Sequence, residues 1–125
     1  MLITKLSSKL HQITVTEADL YYEGSIALDE VFLKESGMEE FERVDIYNIN
    51  NGERFSTYIL KAPQGSRQAM LNGAAARLVQ VGDKVIVCAY RNYPPNGYQS
   101  PTVLLFQENN TFTHQSATKQ HGGWA

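Results

Sequence analysis

Arg43-Val44-Asp45-Ile46-Tyr47-Asn48-Ile49, then Asn51-Gly52, then Arg54-Phe55-Ser56-Thr57-Tyr58-Ile59-Leu60, is the stretch on which the fold turns. Two runs that read as strands flank an Asn-Gly pair. Both residues of that pair tolerate φ > 0, so the stretch predicts a β-hairpin. Outward from it lie further short strands. Residues 12–16 alternate polar and apolar, as a half-buried strand does, and Ser25-Ile26-Ala27-Leu28 is a second short extended piece. Asp29 is placed to cap a short helix running to Lys34, with Gly37 as its stop. Residues 68–71 are extended, and Asn72 to Arg77 reads as a turn into one helical turn. Gly82-Asp83 turns the chain into the strongest strand, residues 84–90. Pro94, Pro95, Asn96, Gly97 and Pro101 make a loop of residues 92–101. A last hairpin joins residues 102–107 to 111–114 through Asn109-Asn110. Six to eight short strands with two small helices predict a small, mainly β barrel, since closure removes exposed sheet edges.

The bulk properties narrow the class. At 125 residues the chain makes one domain, 1–125. The net charge of −2, with scattered basic residues, argues against a nucleic-acid partner. Cys88 is the single cysteine, which excludes an internal disulfide and a Cys-based zinc site; within residues 84–90 it reads as a small buried hydrophobe. His11, His114 and His121 lack metal-ligand spacing, so no metal is expected. The N-terminus has no long apolar run of the signal-peptide kind, and no run approaches the ~18 residues of a membrane span. A cytoplasmic protein without membrane contact is expected. Residues 115–125 are polar and Gly-rich, which predicts a flexible tail.

Tyr22-Glu23-Gly24-Ser25 carries the chemistry. A serine after a glycine can attack the preceding carbonyl through Oγ and convert the amide to an ester. Glycine leaves that carbonyl open and tolerates strained backbone angles. Elimination across the serine Cα–Cβ bond would release the upstream piece as an acid. The dehydroalanine left behind would hydrolyse to a pyruvoyl group, a ketone able to form a Schiff base with an amine and act as an electron sink in place of PLP. Gly-Ser alone is usually a turn, so the context decides.

That context is Lys9-Leu10-His11, then Thr16 through Ser25, Asn51-Gly52-Glu53-Arg54-Phe55-Ser56-Thr57-Tyr58, Gly65-Ser66-Arg67, Asn72-Gly73-Ala74-Ala75-Ala76 and Val81-Gly82-Asp83. In order and spacing, from Met1 to about Phe106, the chain resembles the aspartate 1-decarboxylase family, pyruvoyl-dependent enzymes that make β-alanine for pantothenate synthesis. The resemblance implies a six-stranded double-psi β-barrel with short flanking helices, packed as a homotetramer. It implies autocatalytic cleavage between Gly24 and Ser25 into a β chain, 1–24, and an α chain, 25–125, with an accessory maturation protein as a candidate partner. Two departures stand out: Ile26, where members often carry cysteine, and Tyr47, where tryptophan is common. The tail beyond Phe106 matches nothing in the pattern.

For an aspartate substrate the roles follow. A bidentate arginine suits the side-chain carboxylate, which makes Arg54 its holder and Lys9 the second cation. Arg54, Ser56 and Tyr58 alternate onto one strand face, and Tyr58 is the expected proton donor after CO2 loss. Thr57 is expected to hydrogen-bond the Gly24 carbonyl during cleavage. Glu23 is placed to remove the Ser25 Cα proton, a solvated carboxylate being the alternative. Asn72, Gly73, Ala74 and Ala75 would surround the substrate with an amide and backbone N–H groups, or form a simple turn. His11 is a supporting donor or a structural histidine, and Tyr22 packs on the substrate or in the core. Beside the enzyme stands one reading from another class: a catalytically silent β-barrel binding module. The joint presence of Lys9, Ser25, Arg54, Thr57 and Tyr58 argues against it.

Overall fold

The computed structural model describes residues 1–98 and 100–115. Nine strands form one continuous sheet: β1 (Ile3–Thr14), β2 (Glu17–Asp19), β3 (Ser25–Asp29), β4 (Arg43–Asn48), β5 (Arg54–Ala62), β6 (Ala69–Asn72), β7 (Lys84–Tyr93), β8 (Thr102–Phe106) and β9 (Phe112–His114). Their order is β2-β6-β3-β5-β4-β7-β1-β8-β9. The six strands of five residues or more are neighbours, β3-β5-β4-β7-β1-β8, and the short β2, β6 and β9 extend the two ends. The protein is therefore mainly β, with six principal strands as expected.

The sheet curls around one core. Leu10, Ile26, Ile46, Ile59, Leu71, Val85 and Leu104 come from seven strands and are fully buried together. Asn110 draws the two ends of the sheet together. It is buried, its Nδ2 donates to the carbonyls of Thr14 and Arg67, and its Oδ1 accepts the Thr14 N–H. Phe32 of the helix α1 (Glu30–Ser36) closes the core edge-on against Phe106 and Phe112, at 4.9 and 5.9 Å between centroids.

Asp29 caps α1 through the Val31 N–H, as its sequence position predicts, and does more: its two oxygens also accept the N–H groups of Gly65 and Arg67. Gly37 ends the helix in the left-handed region, φ 82°, its N–H on the Leu33 carbonyl. The β4–β5 hairpin forms with only Gly52 at positive φ in its turn. The first strand is longer and earlier than residues 12–16 suggest. β1 departs from simple pairing with β7 between Leu6 and Ser8 and again between Leu10 and Ile13, where Gln12 sits at φ 64°. Each irregularity resets which side chains face inward, so strict alternation is lost over residues 3–11. Residues 116–125, most of the expected tail, and His121 lie outside the described residues.

Candidate active site

Ser25 opens β3 and is fully buried. It lies opposite Asn72, the last residue of the antiparallel neighbour β6. The Asn72 Nδ2 donates to Ser25 Oγ at 2.9 Å, and Ser25 Oγ donates to the Glu23 carbonyl at 3.1 Å. Asn72 Oδ1 is buried and has no partner among the described residues. The chain then enters a 3-10 turn, Gly73–Leu78, with Gly73 at φ 67°. A Cβ at Gly73 would stand 2.7 Å from Gly24 Cα, 3.0 Å from Gly24 N and 3.2 Å from the Tyr22 carbonyl. At Gly24 a Cβ would meet nothing within 4 Å, and its φ is not in the left-handed region. The strained glycine is thus Gly73 rather than Gly24. Ala74 is exposed in the turn, and Ala75 packs on the core.

β5 runs parallel to β3, with Ile26 opposite Ile59. Ser25 precedes Ile26 and Tyr58 precedes Ile59, so both enter this pair from the same end. Burial raises the Tyr58 phenol pKa first, and the charge of Glu23 and its hydrogen bond to the phenol raise it further. Tyr58 is therefore protonated at neutral pH, the form a proton donor needs. Tyr22 is 54% exposed, which removes its reading as a core tyrosine.

The cations gather elsewhere, on the outward face of β1, β7, β4 and β5. Lys9 is 5% exposed and sits opposite Cys88. Burial lowers its pKa, with Cys88 acting weakly the other way. The pKa of His11, on the same face, is lowered by burial and then by the charge of Lys9. Its Nδ1 is buried without a partner among the described residues. Burial also raises the Cys88 pKa, against the pull of Lys9, so the thiol stays neutral, consistent with a packing role. Arg54 pairs across strands with Tyr47 and lays its guanidinium 3.9 Å from that ring centroid. Asp45, Tyr47, Arg54, Phe55 and Ser56 line a cavity of about 270 Å³.

The site residues therefore fall into two groups. One is Glu23, Gly24, Ser25, Tyr58, Asn72 and Gly73, with Thr57 next to Tyr58 on β5. The other is Lys9, His11 and Arg54, with Tyr47, Asp45, Cys88 and Tyr90, whose hydroxyl lies 3.1 Å from that of Tyr47. Arg54 and Tyr58 share a face of β5, as alternation requires, yet four residues of strand separate them by about 13 Å. Arg54 leans across to Tyr47 rather than along toward Tyr58. Sequence reading passed over Asp45 and Tyr90 as site neighbours. Their signal is the register that sets Asp45 opposite both Ser56 and Cys88, visible only once strands are paired. Among the described residues no three side chains are grouped to hold a metal, and no helix is long and apolar enough to cross a membrane. His114 lies 2.9 Å from Glu35 at the surface, away from both groups.

Residues 1–113 match the family model described as aspartate decarboxylase. An aspartate 1-decarboxylase of Bordetella avium (strain 197N) is 52% identical over 107 residues, 84% of this chain and 88% of that protein. The one from Caldicellulosiruptor saccharolyticus is 49% identical over 123 residues, 97% of this chain and 96% of its own length. Among solved structures, a rationally designed protein, mkDPBB_sym_86, superposes with a TM-score of 0.48 at 17% identity, over 63% of this chain and 92% of its own. With the family model spanning nearly all the described residues and half the positions identical in full-length relatives, the chain belongs to the aspartate decarboxylase family.

Proposed function

We infer that this protein matures by cutting its own backbone between Gly24 and Ser25 and then works through the pyruvoyl group left at residue 25. The chain decarboxylates L-aspartate to β-alanine and CO2, the reaction that feeds pantothenate biosynthesis. The observation that carries the maturation reading is the buried Ser25 Oγ, held by the Asn72 amide directly after Gly24.

The cleavage balances on the chain's own atoms and one water. Ser25 Oγ attacks the Gly24 carbonyl carbon, the C–N bond breaks, and its nitrogen becomes the free amine of Ser25. Thr57, next to Tyr58 on β5, donates to the developing oxyanion. Glu23 takes the Ser25 Cα proton as the Cβ–O bond breaks, which frees Gly24 as a carboxylate. Water replaces the nitrogen of the resulting dehydroalanine, and ammonia leaves. The surroundings suit the product: residue 25 is fully enclosed, the Asn72 Nδ2 donor that now meets Ser25 Oγ stands beside it, and Gly73 adds no side chain. A pyruvoyl group at residue 25 would supply a ketone for the substrate amine and a sink for the electron pair left by CO2. Tyr58 then delivers the proton to Cα. Arg54 and Lys9 hold the side-chain carboxylate, leaving the α-carboxylate unpaired so that its departure is not opposed. Backbone N–H groups of Gly73, Ala74 and Ala75 border the substrate, with His11 and Tyr22 in support.

Arg54 of one chain rests on Tyr47, and its Cα lies about 13 Å along the strand from that of Tyr58. In our reading a second copy brings its cation face against Ser25, within a homotetramer in the cytoplasm. An accessory protein that speeds maturation belongs to the same reading.

The test is the denatured intact mass of purified protein, followed by product analysis. Two fragments meeting at Gly24–Ser25, a hydrazide-reactive ketone on the larger, and β-alanine from aspartate in preference to products of glutamate or cysteine sulfinate are expected. One uncleaved mass after prolonged warming, with no β-alanine formed, would refute the maturation reading and favour a silent barrel.

A further inference from the structure

We propose that Gly73 is a positioning residue for self-cleavage: its missing side chain lets the β6–turn junction press on the peptide that is cut. The inference rests on the maturation reading above and adds a residue to it. Two neighbours in sequence grip the two sides of one bond. Asn72 holds Ser25, the nucleophile, by its Oγ. Gly73 abuts Gly24, the residue whose carbonyl is attacked, and reaches the Tyr22 carbonyl before it. Asn72 and Gly73 are adjacent in the chain, so one short stretch of backbone bears on both Ser25 Oγ and the residue that carries the scissile carbonyl.

The contact admits no larger residue. A Cβ at Gly73 would lie 2.7 Å from Gly24 Cα and 3.0 Å from its nitrogen, well inside the 3.4 Å at which ordinary contact begins. Both atoms are backbone, so no side chain can swing aside. The 22–24 segment itself must shift, by several tenths of an ångström. The fold does not explain this closeness. The hydrophobic core is built from the opposite faces of β3 and β6, through Ile26 and Leu71, and includes neither glycine. Gly24 has open space on its other side, so the segment can back away. Such a shift leaves the barrel standing and moves the carbonyl from Ser25 Oγ. A misplacement near 1 Å in a reacting pair costs about 10²-fold in rate.

Two variants separate the steric contact from the backbone angle. Gly73→Ala adds a Cβ and also strains φ 67°. Gly73→Asn adds the same Cβ with a residue that accepts this φ. Each is purified as precursor, its fold checked by circular dichroism and thermal melting, and its cleavage followed by intact mass. Hydroxylamine at neutral pH, with its cut located between Gly24 and Ser25 by mass and counted apart from any cut at Asn51-Gly52, Asn72-Gly73 or Asn96-Gly97, reports how much ester has formed there. For every variant that folds we expect cleavage about 10²-fold slower than in the parent, and less hydroxylamine-cut product in the same time. Wild-type maturation in either folded variant would overturn the proposal. So would loss of native circular dichroism in both, because the contact would then hold the barrel rather than aim the carbonyl. A parent protein that never cleaves would refute the maturation reading, and this proposal with it.

Discussion

The end of β3 and the outward face of β1, β7, β4 and β5 hold the two halves of one chemistry, and they are built differently. At the first, Ser25 and Asn72 are fully buried, hydrogen-bonded to each other, and backed by a glycine contact that admits no side chain. On the proposed reading, the residues of the cutting step all belong to one chain. At the second, Arg54 is exposed and rests on an aromatic ring, while Lys9 is buried and burial lowers its pKa. On the reading proposed above, maturation is a property of one copy and turnover a property of two.

The sharpest way to break that division is to mix defective copies. Ser25→Ala cannot make the ketone, and Arg54→Ala cannot hold the substrate. Each alone should show no measurable β-alanine formation or close to none. Coexpressed, they should regain about a quarter of the parent activity, the share of sites that draw residue 25 from one copy and Arg54 from the other under random mixing. No recovery in mixed oligomers would place both groups in a single chain. Cleavage should be blocked in Ser25→Ala and normal in Arg54→Ala, whatever the mixture.

Two neighbours on β5 sharpen the comparison further. Thr57 and Tyr58 point to opposite faces of the strand, and the reading gives each a different stage. Thr57→Val keeps the shape and removes the hydroxyl. Intact-mass kinetics should show maturation slowed about 10²-fold, the usual cost of one oxyanion donor. Tyr58→Phe should mature at the parent rate and turn over about 10²-fold more slowly, the contribution of one positioned acid. Normal maturation in the first or normal turnover in the second would strike that residue from its role. A variant slowed in both stages would show that the two faces are not separate.

The sequence made these two regions legible to different depths. The helix could be read to its ends, because Asp29 and Gly37 act locally, through a cap and a left-handed stop. The β4–β5 hairpin is equally plain, since Asn51-Gly52 marks its turn locally. β1 was half hidden: its irregular pairing with β7 and the positive φ at Gln12 move polar residues to inward positions, and a period-two search ends there. The site residues came from motif order, which names positions without distances. Proximity of Ser25 and Asn72 depends on β3 pairing with β6 across 47 residues of chain, and nothing in either segment announces it. The demand for glycine was assigned to Gly24, beside the cut, because sequence shows only neighbours along the chain. The structure puts the tight contact on Gly73, which reaches Gly24 from another strand.

The smallest expected effect is on stability, and it tests whether the cation face is strained before substrate arrives. His11 has its pKa lowered from the ordinary 6.5, first by burial and then by Lys9. Above 6.5 it is neutral in both the folded and the unfolded chain and adds no pH dependence. As pH falls below 6.5 the unfolded chain takes the proton first, so stability is lost through the window from 6.5 down to the folded value, and levels off below it. His11→Asn removes the titrating group. Melting temperatures of the parent should fall over that window, and those of His11→Asn should fall less, at equal protein concentration so that assembly does not enter. Parallel curves would mean that His11 is neutralised without cost and that the face is not strained there. A steeper curve in the variant would reverse the sign altogether, and would require an acidic neighbour for His11 where the electrostatics of this face are set by Lys9.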